Sequence, residues 1–191
     1  MKTTFFLSCF IVVGAFLFKK NNPVHKSSIV TYKVSKSKKT SLKPIGAVRI
    51  IIDKSDYELH VYDSEGWYAT YPVVFGNDPM QDKKVEGDRY TPEGTFKIVN
   101  KKPHAKWSRF LLLDYPNQET MKKFNQRKQR GEIPKNATPG GGVGIHGTWA
   151  RDDFIVDRYK NWTLGCISLK NIDVLDLYSY IPMNTSVTIR K

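Results

Sequence analysis

Cysteine is almost missing from this chain. Its 191 residues hold two, Cys9 and Cys166. Cys9 lies in an apolar leader, so the domain beyond it has one thiol and cannot build an intramolecular disulfide framework. Histidine is also sparse, and His25, His60 and His104 show no paired ligand spacing, which argues against a zinc site. No apolar run reaches the ~20 residues that a spanning helix usually needs. Acidic residues are in deficit, 18 against 31 lysines and arginines, giving a formal net charge of +13. That excess favours an anionic partner or surface, whether nucleic acid, acidic headgroups or an acidic polymer, and does not choose among them. Internal repeats are absent. With 40% hydrophobic and 26% charged residues, the composition is that of a globular protein, long enough for one well-buried domain and too short for two.

The N-terminal stretch reads as an address. Met1 to Thr4 is short and positive, Phe5 to Phe18 is almost wholly apolar, and Lys19 and Lys20 end the run. This is the layout of a secretory signal. Val13-Gly14-Ala15 offers a small-residue cleavage site, whereas Phe16-Leu17-Phe18 continues the apolar run, so residues 1–18 read as a signal peptide or a membrane anchor. Export to a periplasm or cell envelope fits the cysteine usage. Residues 19–44 alternate serine and asparagine with lysine, the composition of a basic extended linker able to sit near an anionic envelope surface. The linker lacks the interleaved aromatics of a single-strand nucleic-acid platform, and export would separate the domain from nucleic acid.

Residues 45–191 carry the domain. Strands are expected at 47–53, 57–62, 67–75, 96–99, 108–115 and 186–189, where β-branched and aromatic residues run together or alternate with polar ones. A helix is expected over Gln118–Arg130 with Asn117 as its N-cap, and a second from Asn171 to Tyr178 with Asn171 as the capping residue. Asn77 to Tyr90 is a charged loop. Glu132 to Gly142, with two prolines and three consecutive glycines, reads as a mobile loop before the strand that carries His146. The sum is a mainly β domain, a sandwich or barrel with two short surface helices.

The chemistry gathers between Gly144 and Asn171. Gly144-Ile145-His146-Gly147-Thr148 and Asn161-Trp162-Thr163-Leu164-Gly165-Cys166-Ile167-Ser168 place one imidazole and the domain's one thiol on two glycine-bearing strand ends. A thiol with a free pKa of about 8.5 becomes a nucleophile when a neighbouring imidazole takes its proton. Gly165 lets the backbone turn sharply before Cys166, and N–H groups of Leu164, Gly165 and Cys166 are placed to face a developing oxyanion. The Gly147 carbonyl is placed to fix the His146 tautomer. The competing reading, an inert buried cysteine and a structural histidine, stands beside this one.

The segment resembles the L,D-transpeptidase catalytic domain family (YkuD type). The family shows His-Gly, about 14–17 residues, then Ser/Thr-His-Gly-Cys; here sixteen residues separate His146 from Thr163. Upstream, Tyr71-Pro72-Val73 and Thr91-Pro92-Glu93-Gly94-Thr95-Phe96 are similar to two further family elements, so the resemblance covers roughly residues 47–190. It implies a two-step reaction on peptidoglycan stem peptides: Cys166 attacks the carbonyl between the L-centre of a diamino acid and a terminal D-residue, D-alanine leaves, and an acceptor amine resolves the thioester. His146 is then the base and Gly147 its orienter. Metal and organic cofactors are not implied. Thr163, Trp162 and Tyr90 are candidate pocket walls.

Two positions depart from the family pattern. Leu164 stands where the family has its second histidine, and Ser168 where an arginine often follows the Cys-Ile pair, which leaves recognition of a substrate carboxylate to residues such as Arg151, Arg158 or Lys106. The same fold with water as acceptor would be a hydrolase, and a domain weakened at Leu164 and Ser168 would be a wall-binding module. A sortase-like enzyme is the runner-up; the short His-to-Cys spacing, the single residue between Leu164 and Cys166, and the lack of an arginine between Cys166 and Arg190 count against it.

Overall fold

A computed structural model describes residues 37–38 and 43–191; the expected leader and nearly all of the expected linker lie outside the described residues. Among the described residues nine strands, numbered in chain order with ranges given below, form one sheet in the order β1-β4-β3-β2-β9-β5-β6-β7-β8. β1 (Ser37–Lys38) falls inside the stretch expected to be a tether, yet its backbone pairs antiparallel with β4, Ser37 opposite Thr70. β2 (Arg49–Asp53), β3 (Glu58–Asp63) and β4 (Gly66–Pro72) form the antiparallel meander read from the alternation. In β3, Leu59, Val61 and Asp63 are buried while Glu58, His60 and Tyr62 are half-buried, the two-residue period of a strand with one face on the core. β9 (Ser186–Arg190) inserts parallel beside β2.

β5 (Gly94–His104) is far longer than the four residues expected. Its first part pairs with β9, and its second with β6 (Ser108–Leu113). A register shift between Ile98 and Asn100 marks the change of partner, the local re-aiming that a bulge produces. The second part, Asn100-Lys101-Lys102-Pro103, has little strand propensity; pairing with the apolar β6 holds it extended, a tertiary override of local preference. β7 (Gly144–His146) continues from β6, and β8 (Ile167–Ser168) lies parallel to β7. An antiparallel bridge between Val74 and Ser168 then brings the chain just after β4 onto β8 at the far end of the order. That bridge supplies the barrel-like closure of the mainly β domain.

The helices differ from expectation in three ways. α1 (Gln118–Gln129) is a surface helix burying only Phe124, and Asn117 caps it, its Oδ1 accepting the Thr120 N–H at 3.0 Å. α2 (Phe154–Asp157) is a single turn that no sequence signal announced. α3 (Asn171–Tyr180) is less of a surface helix than expected, because Val174 and Leu177 are fully buried against the sheet. Nor does Asn171 cap it. Asn171 is already helical, and its backbone N–H donates 2.9 Å to Oδ1 of Asp153, a carboxylate supplied from the α2 side. Among the described residues no helix is long and apolar enough to cross a membrane.

Candidate active site

Strand pairing positions the two candidate side chains. His146 ends β7 and Cys166 immediately precedes β8, so the parallel pairing of Ile145 with Ile167 and His146 with Ser168 brings both strand ends together. The Cys166 loop is stitched to the chain after β4. Phe75 O accepts the N–H groups of Trp162 and Thr163, each at 3.1 Å, and the Asn161 side chain accepts the Phe75 N–H at 2.9 Å. Thr163 Oγ1 donates to the Cys166 carbonyl at 2.7 Å and accepts the Gly165 N–H at 3.2 Å. The Gly165 N–H, one of the three expected oxyanion donors, is therefore held by Thr163.

Both motif glycines have a steric reason. A Cβ on Gly147 would stand 2.4 Å from Asn171 Oδ1 and 2.8 Å from the Trp107 carbonyl. The space beside His146 is thus filled by protein. Gly165 has φ +129°, and a Cβ there would stand 2.8 Å from the Tyr90 carbonyl.

His146 and Cys166 line one cavity of about 870 Å³. Thr163, Trp162, Leu164 and Gly165 line it too, whereas Tyr90, Arg151 and Arg158 do not. Tyr90 meets the site only through its backbone carbonyl against Gly165. Arg158 lies 5.1 Å over the exposed Phe154 ring, and Lys106 lies 5.5 Å over Trp149. The cations on the cavity wall are Lys83, Arg89 and Lys102. Leu164 is 73% exposed at this wall. Ser168 is fully buried, and its Oγ donates 3.4 Å to the Gly147 carbonyl, so it faces the support of His146 instead of substrate space.

His146 sits in an aromatic stack. Its ring lies 4.5 Å from Trp107 at 23° and 5.8 Å from Phe110 at 9°, with Trp162 edge-on at 5.6 Å. Trp107 in turn stacks on His104 at 4.4 Å. Nδ1 of His146 lies 2.6 Å from the Gly147 carbonyl. A carbonyl only accepts, so Nδ1 carries the proton and Nε2 keeps its lone pair. Burial pushes the imidazole down to about 4, against the raising effect of the Gly147 hydrogen bond.

Cys166 is half-buried. Its thiol donates 3.6 Å to the Gly142 carbonyl. Burial pushes the thiol pKa up, while the Gly144 N–H and the Lys83 charge oppose that rise. The resting pair is accordingly a neutral thiol and a neutral imidazole. The glycine-rich loop that carries Gly142 is tied down at its start. Thr138 O accepts from the Glu86 N–H at 2.8 Å, and Pro139 O from the Tyr115 hydroxyl at 2.9 Å.

Sequence reading missed Trp107, Phe110 and Lys83. Trp107 sits in the turn between β5 and β6, where no periodicity exists to mark it, and Lys83 lies in the stretch read as a charged loop. Among the described residues, no three His, Cys, Asp or Glu side chains converge to hold a metal ion.

The whole is a mainly β domain whose parallel strand ends present an imidazole and a thiol to one cavity. Its sequence matches the L,D-transpeptidase catalytic domain family (YkuD) over residues 47–189, and the chain belongs to that family. No curated protein sequence matches the chain. Among solved structures, the helical cell shape determining protein Pgp2 from Campylobacter jejuni is similar, with a TM-score of 0.56 and 22% identity over 76% of this chain and 48% of Pgp2. L,D-transpeptidase 3 from Mycobacterium tuberculosis, seen with a faropenem-derived adduct, gives 0.51 and 12% identity over 76% and 61% of the two chains. An L,D-transpeptidase from Xylanimonas cellulosilytica gives 0.50 and 15% identity over 82% and 65%. These likenesses show the fold. The chain spans about half the length of Pgp2 and less than two thirds of the other two.

Proposed function

We propose that the protein is a peptidoglycan L,D-transpeptidase acting in the cell envelope, with Cys166 as nucleophile, His146 as base and Gly147 as the orienter of His146. The observation that carries this reading is that His146, whose Nε2 keeps its lone pair because Nδ1 is held by Gly147, and Cys166 line one cavity. Nε2 takes the thiol proton as Sγ adds to the carbonyl carbon of the diamino acid. The Cys166 N–H faces the oxyanion, with Leu164 N–H beside it. Collapse breaks the C–N bond, and the imidazolium returns the proton to the departing D-alanine amine. The acceptor amine then attacks the thioester carbonyl, giving its proton to His146, and the thiol is released. Trp162 and Thr163 shape the wall on the nucleophile's side. The +13 charge suits the anionic envelope in which such a polymer lies.

The test uses purified protein, tetrapeptide muropeptides and a carbapenem. Wild type should form a covalent adduct at Cys166 and release D-alanine with a new amide product seen by mass. Cys166→Ala should abolish both. Adduct formation or D-alanine release persisting in that variant would overturn the mechanism. Release of D-alanine with a free tripeptide as the only other product would assign water as the acceptor.

A further inference from the structure

Lys83 is the cavity's buried cation. Its side chain is 5% exposed, and its ammonium donates to Asp88 Oδ1 at 2.8 Å and to the Val85 carbonyl at 3.1 Å. An ammonium has three N–H donors, so one remains beyond these two contacts. Lys83 lines the cavity with Gly165 and Cys166, its nitrogen 3.9 Å from where a Cβ on Gly165 would stand. Asp88 is the ion-pair partner of this ammonium, and its carboxylate is fixed in place by the backbone N–H groups of Lys84, Val85 and Tyr90, accepted at 2.7, 3.0 and 3.0 Å. Of the pair, Lys83 is the charge that acts on the Cys166 thiol, opposing the rise that burial causes. Glu86 is the one carboxylate among the lining residues, and its Oε2 accepts from the Thr138 hydroxyl at 2.6 Å.

We propose that Lys83 anchors the terminal carboxylate of the acyl donor, so that the site selects a stem peptide whose free carboxylate lies one residue beyond the attacked carbonyl. The proposal rests on the acyl-transfer reading of Cys166. In such a donor the carboxylate carbon is three bonds from the scissile carbonyl carbon, roughly 3–4 Å with standard backbone dimensions. A carbonyl poised on Cys166 thus sets that carboxylate within reach of a cation packed behind Gly165. β8 offers no competing cation, because Ser168 is buried and turned to the Gly147 carbonyl. Arg89 lines the same cavity from a more exposed position and adds to the field without the fixed geometry of Lys83. A buried donor left unpaired by the wrong ligand discriminates more strongly than a solvated one.

The experiment compares two synthetic tetrapeptide donors, one ending in the D-alanine carboxylate and one in its carboxamide, on the full chain. Wild type should prefer the carboxylate in kcat/KM by roughly tenfold or more. Lys83→Gln should bring the two donors to near equality by slowing the carboxylate donor, and Lys83→Arg should retain part of the preference. Equal rates for both donors with wild type would overturn the proposal whatever the variants do. So would a Lys83→Gln protein that unfolds like wild type and keeps the full preference. Cys166-dependent turnover of neither donor would instead overturn the acyl-transfer reading itself.

Discussion

The two walls of the cavity are built from opposite materials. On the histidine side, His146 is 2% exposed and faces the rings of Trp107, Phe110 and Trp162, with Nδ1 held by the Gly147 carbonyl. On the cysteine side, the sulfur meets the Gly142 carbonyl, the Gly144 N–H and the field of Lys83, and its loop is held by the Thr163 hydroxyl. The dry wall disfavours a positive imidazolium, and the polar wall tolerates a negative sulfur. Burial therefore keeps both partners neutral at rest, and the charged pair is one that forms during attack. A low-pKa base of this kind takes the thiol proton briefly and gives it up readily to a leaving amine.

The largest effect that would break this contrast is in acid stability. In the unfolded chain His146 titrates near 6.5, and in the folded one near 4. Between those values the unfolded chain binds the proton and the folded one does not. Stability contributed through this group is thus complete above pH 6.5 and is lost as pH falls toward 4, by up to ~3 kcal/mol. Urea denaturation at pH 7 and pH 4 checks this: wild type should lose more than His146→Gln by about that amount. An equal acid loss in the two proteins would show that the histidine wall is wet.

A smaller effect tests the cysteine wall. Gly165→Ala forces a side chain onto a φ of +129° and sets a Cβ against the Tyr90 carbonyl. It should cost ~1–3 kcal/mol in denaturation. It should also slow carbapenem acylation, because the backbone that aims Cys166 must shift. Unchanged stability and unchanged acylation together would show that Gly165 is a convenience and not a requirement.

How much of this was readable beforehand divides along the same line. The β-rich fold followed from alternation in β3 and from β-branched runs in β2 and β9, because a strand's pattern is local. The His146–Cys166 pair followed from two short motifs that each occupy one strand end. What escaped depends on long-range crossing. Lys83 belongs to a stretch rich in charge, and distant partners such as Gly165 and Arg127 of α1 surround it. Trp107 sits in a hairpin turn whose length depended on β5 extending through Asn100-Lys101-Lys102, residues with weak strand preference. That Ser168 turns inward depends likewise on its pairing with His146 across β7 and β8. The Asn171 cap failed for a related reason: a carboxylate from another loop, Asp153, had taken that role.

The smallest effect at neutral pH is also the most discriminating. Trp107→Leu removes the ring lying 4.5 Å from His146, opens that face to water, and uncouples His104, whose charge opposes protonation of His146. Acylation at pH 7 should change little, since the imidazole is already neutral there. The acid limb of the acylation profile should move up from about 4 toward 6.5 as burial relaxes. Alkylation of Cys166 by iodoacetamide, followed against pH in the same variant, should keep its midpoint, because the Gly144 N–H and Lys83 are untouched. If both midpoints move together, the walls are one electrostatic unit and the neutral resting pair is a property of the cavity as a whole. If only the histidine limb moves, the aromatic stack alone sets the strength of the base.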